Sequence, residues 1–117
     1  MKFCLNTTVI KENNEDDISN AVILLHGYGG DGNDISGITF NWKRYLKNTV
    51  FLCPDGHEKC EISPTGYQWF DLSSDNPKLI LAGVHRAEKI INEFIDEVKI
   101  KFKLNDNKIC LGGFSQG

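Results

Sequence analysis

The chain is 117 residues long, 40% hydrophobic, 25% charged and 10% aromatic, an ordinary folded-protein composition that excludes a disordered, collagen-like or coiled-coil chain. Thirteen Lys and Arg against sixteen Asp and Glu give a net charge of -3 with no strongly basic segment, which disfavours nucleic acid or an anionic membrane as a partner. The longest apolar run, Ala21 to Leu25, is far below the ~20 residues of a membrane span, and no hydrophobic stretch of signal-peptide length opens the chain, so a cytoplasmic setting is expected.

Four unevenly spaced cysteines, Cys4, Cys53, Cys60 and Cys110, read as reduced thiols and not as a disulfide framework. One domain over residues 1–117 is the natural count. In chain order, Lys2 to Ile10 alternates Phe3, Leu5, Thr7 and Val9 and predicts a strand at a sheet edge. The polar, acidic stretch Lys11 to Asn20 reads as a solvated loop. Ala21 to Leu25 is apolar without alternation, the mark of a strand buried on both faces of a parallel sheet, and it runs into His26-Gly27-Tyr28-Gly29-Gly30.

A helix follows, with Asn33-Asp34 as the expected N-cap and Ile35, Ile38, Trp42, Tyr45 and Leu46 at helical spacing. Thr49 to Cys53 repeats the buried-strand signature and stops at the turn Pro54-Asp55-Gly56. From His57 to Asn76 no period is visible, and this segment reads as a long surface excursion. Val84, Ala87, Ile91, Phe94, Ile95, Val98 and Phe102 make one apolar stripe on a long amphipathic helix, broken at Asn105-Asp106-Asn107. Lys108 to Gly112 gives a last buried strand before Gly113-Phe114-Ser115-Gln116-Gly117. Alternating strands and helices predict an open α/β sheet, mostly parallel, with flanking helices.

Two turns carry possible chemistry. Gly113 to Gly117 fits G-x-S-x-G after a buried strand, a sharp turn that projects Ser115 for attack on a carbonyl; the other reading is a turn and nothing more. The Gly-rich His26 to Gly30 offers backbone N–H groups at a strand end, either as a plain strand-to-helix turn or as donors to a developing oxyanion, with the Tyr28 and Gln116 amides the natural pair. A phosphate site is the weaker reading, since neither G-x-G-x-x-G nor a following Gly-Lys-Ser/Thr is present.

Val22 to Gly30, then Phe51-Leu52-Cys53-Pro54, Trp69-Phe70-Asp71 and Ile109 to Gly117 together resemble the phospholipase/carboxylesterase family of α/β-hydrolases, which includes the acyl-protein thioesterases. The resemblance implies an α/β-hydrolase sheet and a Ser-Asp-His esterase or thioesterase using no cofactor or metal. Ser115 would be the nucleophile, the Tyr28 and Gln116 amides the oxyanion hole, and a small-molecule or lipid acyl ester the substrate. Tyr28 departs from the Leu common in the family, which alters a pocket wall more than the chemistry. The family's acid and histidine follow its serine, and here nothing follows Gly117. That implies an incomplete domain, truncated after the nucleophile elbow. The alternative reading is an inactive truncated or split-gene fragment that needs a complementing C-terminal polypeptide or associates with itself.

Earlier histidines do not fill the gap. His26 lies in the Gly-rich turn, where loop fixing by hydrogen bonding is the expected role, while His57 and His85 read as solvent-exposed. Cys53, His57 and Cys60 have no fourth ligand nearby, so no metal is expected. Tyr67, Trp69 and Phe70 either line an acyl groove or anchor the long loop.

Overall fold

The computed structural model describes residues 2–12 and 17–117. Its elements are β1 (Thr7–Ile10), β2 (Asn20–Leu25), α1 (Gly32–Ser36), α2 (Thr39–Trp42), β3 (Thr49–Pro54), β4 (Glu58–Lys59), β5 (Tyr67–Gln68), α3 (Pro77–Phe102) and β6 (Ile109–Gly113). Four strands form one sheet in the order β1-β3-β2-β6, with β2 parallel to both β3 and β6 and β1 antiparallel at the edge. The edge position of β1 is as expected, but its ladder begins at Thr7; the residues before it pack instead of pairing, with Leu5 buried and the Phe3 ring 5.3 Å from that of Phe94. Of the polar segment expected as a loop, residues 13–16 lie outside the described residues, and its end contributes Asn20 to β2.

The two apolar runs behave as their composition dictates. Every residue of β3 is buried, as are Ala21, Ile23, Leu24 and Leu25 of β2, because helices cover both faces of a parallel sheet. Ala21, Ile23, Leu25, Val50 and Leu52 share one cluster with the α3 stripe Ala87, Ile91, Phe94, Val98 and Phe102. On α3 Asn76 caps the start, its side chain accepting from the Lys78 N–H at 3.0 Å, and Pro77 occupies the first turn, where no N–H is needed. Lys103, left-handed at φ 57°, ends the helix before Asn105 is reached.

Three expectations need correction. The helix after the Gly-rich turn is two short pieces, α1 and α2, and its cap is Asp31, whose carboxylate accepts from the Asp34 N–H at 2.7 Å. The Ser36 and Thr39 hydroxyls donate to carbonyls three residues back, tightening the segment, so Gly32, Ser36 and Thr39 face inward while Ile38, Trp42, Tyr45 and Leu46 stay exposed. The excursion from His57 to Asn76 is not wholly at the surface: it contains the hairpin β4-β5 and buries Cys60, Gln68 and Trp69. Finally, among the described residues β6 pairs with β2 alone, and its Cys110 and Leu111 are exposed instead of buried.

Candidate functional site

Because β2 and β6 are parallel, with Leu25 opposite Gly113, the two turns singled out in the sequence leave the sheet at the same end. Carboxyl ends of parallel strands are where open α/β sheets place ligands. The Phe114 N–H donates to the Leu25 carbonyl at 3.1 Å, carrying the ladder one step past β6. Ser115 then turns left-handed at φ 56°, and the Gly117 N–H closes the turn on the Phe114 carbonyl at 3.0 Å. A non-glycine residue in that region is strained and persists only where its surroundings hold it.

The Gly-rich turn is held from three sides. Gly30 N–H returns to the Gly27 carbonyl at 3.1 Å, and β5 clasps the outside, with Gly29 N–H on the Tyr67 carbonyl at 2.9 Å and Tyr67 N–H on the Gly30 carbonyl at 2.8 Å. From behind, the His26 ring accepts the Gly56 N–H on Nε2 at 2.8 Å and lies 2.6 Å from the Gly27 carbonyl through Nδ1. A backbone N–H can only donate and a carbonyl only accept, so the ring proton sits on Nδ1 and both nitrogens are engaged. Gly27 faces the other turn: a Cβ there would lie 3.4 Å from Ser115 Cβ.

The backbone N–H groups of Tyr28 and Gln116 donate to no acceptor among the described residues, nor does the Ser115 hydroxyl have a partner there. Tyr28, Ile35, Asp34 and Phe114 line a groove of about 300 Å³ beside these groups. Partial burial, then a hydrogen bond with the Cys60 thiol, push the Tyr28 phenol above its ordinary range. On the other side of the elbow, Phe70, Val84, Ile91, Ile95 and Leu111 line an apolar groove of about 270 Å³ between α3 and β6. A further hollow of about 460 Å³ opens at the opposite ends of the strands, around Asn20, Thr49 and Ile109.

Ser115, Gln116 and the Tyr28 turn thus come together, and both Trp69 and Phe70 border the second groove. Trp69 is 2% exposed, with its indole Nε1 donating to the His26 carbonyl at 2.8 Å. Asp71 turns away into its own loop, where the Ser73 hydroxyl and amide lower its carboxyl below the usual range. His85 is exposed on α3, but His57 is not: both ring nitrogens are enclosed without a hydrogen-bond partner, the Glu58 carboxylate lying 3.5 Å from Nε2. His57 directly precedes the hairpin β4-β5, which is invisible as a periodicity.

Sequence reasoning missed Asp55, read only as part of a turn. Its buried carboxylate accepts from the Gly32 N–H and from Asn6 Nδ2, both at 2.8 Å, tying the start of α1 to the chain before β1. It missed also the Gln116 side chain, whose Oε1 accepts the Trp69 N–H at 2.8 Å while Nε2 donates to the Phe70 carbonyl at 2.7 Å. Among the described residues no group of three or more His, Cys, Asp or Glu is placed to hold a metal ion.

Comparison with known proteins gives a consistent result. The model of the phospholipase/carboxylesterase family matches residues 6–117. Acyl-protein thioesterase 1 of Candida albicans is 29% identical over 106 residues, covering 83% of this chain and 46% of that protein. Acyl-protein thioesterase 1 of Kluyveromyces lactis is 26% identical over 106 residues, covering 84% and 46%. Among solved structures, that of esterase PE8 superposes with a TM-score of 0.82 at 30% identity over 99% of this chain and 54% of that one. The Bacillus cereus carboxylesterase, at 21% identity and a TM-score of 0.67, covers 97% and 50% and shows the fold alone. The chain spans about half the length of the curated relatives it matches.

Proposed function

The chain belongs to the phospholipase/carboxylesterase family, and from that premise we propose that it carries the nucleophile and oxyanion donors of a serine hydrolase acting on carboxylic esters or thioesters. Its mostly parallel sheet with flanking helices is that of the α/β-hydrolases. Ser115 carries the reading: a strained residue at φ 56°, at the end of β6, beside two backbone N–H groups with no acceptor among the described residues.

In the proposed reaction Ser115 Oγ attacks the carbonyl carbon as a base takes its proton, and the Tyr28 and Gln116 amides hold the negative charge on the carbonyl oxygen. Collapse of the tetrahedral intermediate breaks the bond to the alcohol or thiol, which leaves with the proton from the base. Water then attacks the acyl-serine by the same route and frees the acid and Ser115. The base is none of the three histidines of this sequence: His26 has both nitrogens engaged, the His57 nitrogens are enclosed, and His85 stands outward on α3. Base and acid are therefore assigned to polypeptide other than residues 1–117. An acyl group would lie in the groove of Tyr28, Ile35 and Phe114, or in that of Phe70 and Leu111, with no cofactor or metal required, and a cytoplasmic setting belongs to the same proposal.

The test is hydrolysis of p-nitrophenyl butyrate by the native protein together with labelling by a fluorophosphonate. Turnover that disappears in Ser115→Ala, with the label on the peptide that contains Ser115, is the expected result. Turnover or labelling equal in Ser115→Ala and wild type would overturn the assignment.

A further inference from the structure

We infer that Trp69 is a positioning residue that sets the separation of the two oxyanion donors, an inference that rests on the function proposed above. Trp69 touches both halves of the site with different atoms. Its indole Nε1 donates to the His26 carbonyl at 2.8 Å, and its ring stacks on the His26 imidazole with centroids 5.1 Å apart and planes at 29°. Its backbone N–H donates to Gln116 Oε1 at 2.8 Å, and the carbonyl of the next residue, Phe70, accepts from Gln116 Nε2 at 2.7 Å. One amide side chain is thus bound by donor and acceptor to the backbone of two consecutive residues, which fixes both the position and the rotation of the Gln116 side chain.

The link on the other side reaches the second donor through one rigid unit. His26 Nδ1 holds the Gly27 carbonyl at 2.6 Å, and that carbonyl belongs to the same planar peptide as the Tyr28 N–H. In a trans peptide the C=O and N–H point in opposite directions, so fixing the Gly27 oxygen aims the Tyr28 N–H. The Gly30 N–H on the same oxygen at 3.1 Å reinforces the aim. Trp69 holds the His26 ring and carbonyl that anchor this peptide, and it holds the side chain of the residue that carries the other donor. At 2% exposure it is nearly closed to solvent, with one edge in the wall of the groove beside Phe70, and its hydrogen bonds go to these two partners, through which the bracing acts. Stabilisation of an oxyanion depends on where donors stand before the charge develops, and a brace between them acts on that quantity.

Trp69→Phe in the native protein separates bracing from bulk, because phenylalanine keeps a buried aromatic ring against His26 and removes the indole donor. With p-nitrophenyl butyrate, kcat is expected to fall roughly tenfold to a hundredfold while KM changes by less than about twofold, since the ground-state ester does not use the oxyanion geometry. Trp42→Phe, at an exposed position on α2, serves as the control and should leave both constants unchanged. A Trp69→Phe enzyme with wild-type kcat, or one altered only in KM, overturns the inference. Should that variant fail to fold, hydrogen exchange of the wild-type indoles decides: a Trp69 N–H much slower than that of Trp42 supports the brace, and equal rates remove it. Turnover unaffected by Ser115→Ala would instead defeat the esterase reading, and the indole exchange would still decide the brace.

Discussion

Gly113 and Gly117 lie back to back across the Ser115 turn, so close that a Cβ on Gly113 would overlap the Gly117 carbonyl and one on Gly117 would overlap the Leu25 carbonyl. The clashing atoms are backbone and cannot swing aside, which is why the motif needs glycine on both sides of the serine. Gly113→Ala should cost about 2–4 kcal/mol and shift Ser115 out of its left-handed conformation. A thermal melt together with fluorophosphonate labelling checks this, and a variant that keeps both melting temperature and labelling rate would mean the turn is looser than its geometry indicates.

Asp55 offers a test of the site's foundation. Its two carboxylate oxygens satisfy two donors, the Gly32 N–H and Asn6 Nδ2, and Asp55→Ala would leave the buried Gly32 N–H without its partner and cut the part-buried tie to Asn6. A loss of about 2–4 kcal/mol is expected, and Asp55→Asn should lose about half as much, since its NH₂ cannot accept from the second donor. Chemical denaturation of the two variants gives the ordering, and equal losses would show that only one of the two hydrogen bonds contributes.

The long helix makes the sharpest contrast between inside and outside. Phe94 is fully buried between the sheet and the Phe3 ring, whereas Tyr45, on the turn after α2, is 76% exposed. Phe94→Ala should cost about 3–5 kcal/mol through lost burial and the cavity left behind, and Tyr45→Ala less than about 0.5 kcal/mol. Urea midpoints of the two variants measure the difference directly.

These contrasts show which parts of the structure the residues announced. The Ala21 and Thr49 runs and the Ala87-Ile91-Phe94-Val98-Phe102 stripe were legible because burial there is repetitive, one periodicity repeated over many residues. The segment from Ile35 to Leu46 misled because its apolar spacing is helical while Gly37 and the back-bonded hydroxyls of Ser36 and Thr39 divide it; burial goes to small residues, which no hydrophobic pattern marks. Around the site, Ser115 and the Gly-rich turn were readable as local motifs. The contacts of Trp69 with His26 and Gln116, 43 and 47 residues away along the chain, have no local signature and exist only once the sheet brings the turns together.

Titration gives a prediction whose sign is fixed by the structure. Burial pushes the Cys53 thiol up to about 11, burial and the Glu97 carboxylate raise Cys4 to about 11, burial and Cys60 raise Tyr28, and the Asp106 carboxylate 2.9 Å away raises Lys99. Each group holds its proton more tightly folded than unfolded, so its contribution is intact below the ordinary value of that group and is lost as pH rises through the raised one. The melting temperature should therefore fall between about pH 9 and 11, and Cys53→Ala should make the fall shallower even though it lowers stability throughout. A wild-type melting temperature that stays level or rises across that window would contradict the assignment.

The last prediction concerns β6. Its hydrogen bonds run to β2 on one side, and among the described residues no strand pairs with its other side. Leu111 there is 50% exposed, and the apolar groove beside it, with Phe70, Val84, Ile91 and Ile95, opens along α3. Unpaired strand edges template pairing with other chains unless charge, proline or a bulge blunts them, and of these β6 has only Lys108, just before its first residue. A polypeptide of residues 1–117 should therefore associate with itself, edge to edge, in a concentration-dependent way visible by sedimentation or light scattering. Leu111→Lys places a charge on the exposed apolar face of the edge and should shift the equilibrium toward monomer with little effect on the buried cluster under α3, to which Leu111 does not belong. A wild-type polypeptide that stays monomeric at high concentration, or a Leu111→Lys variant that associates as strongly as wild type, would show that this edge is not what brings copies together.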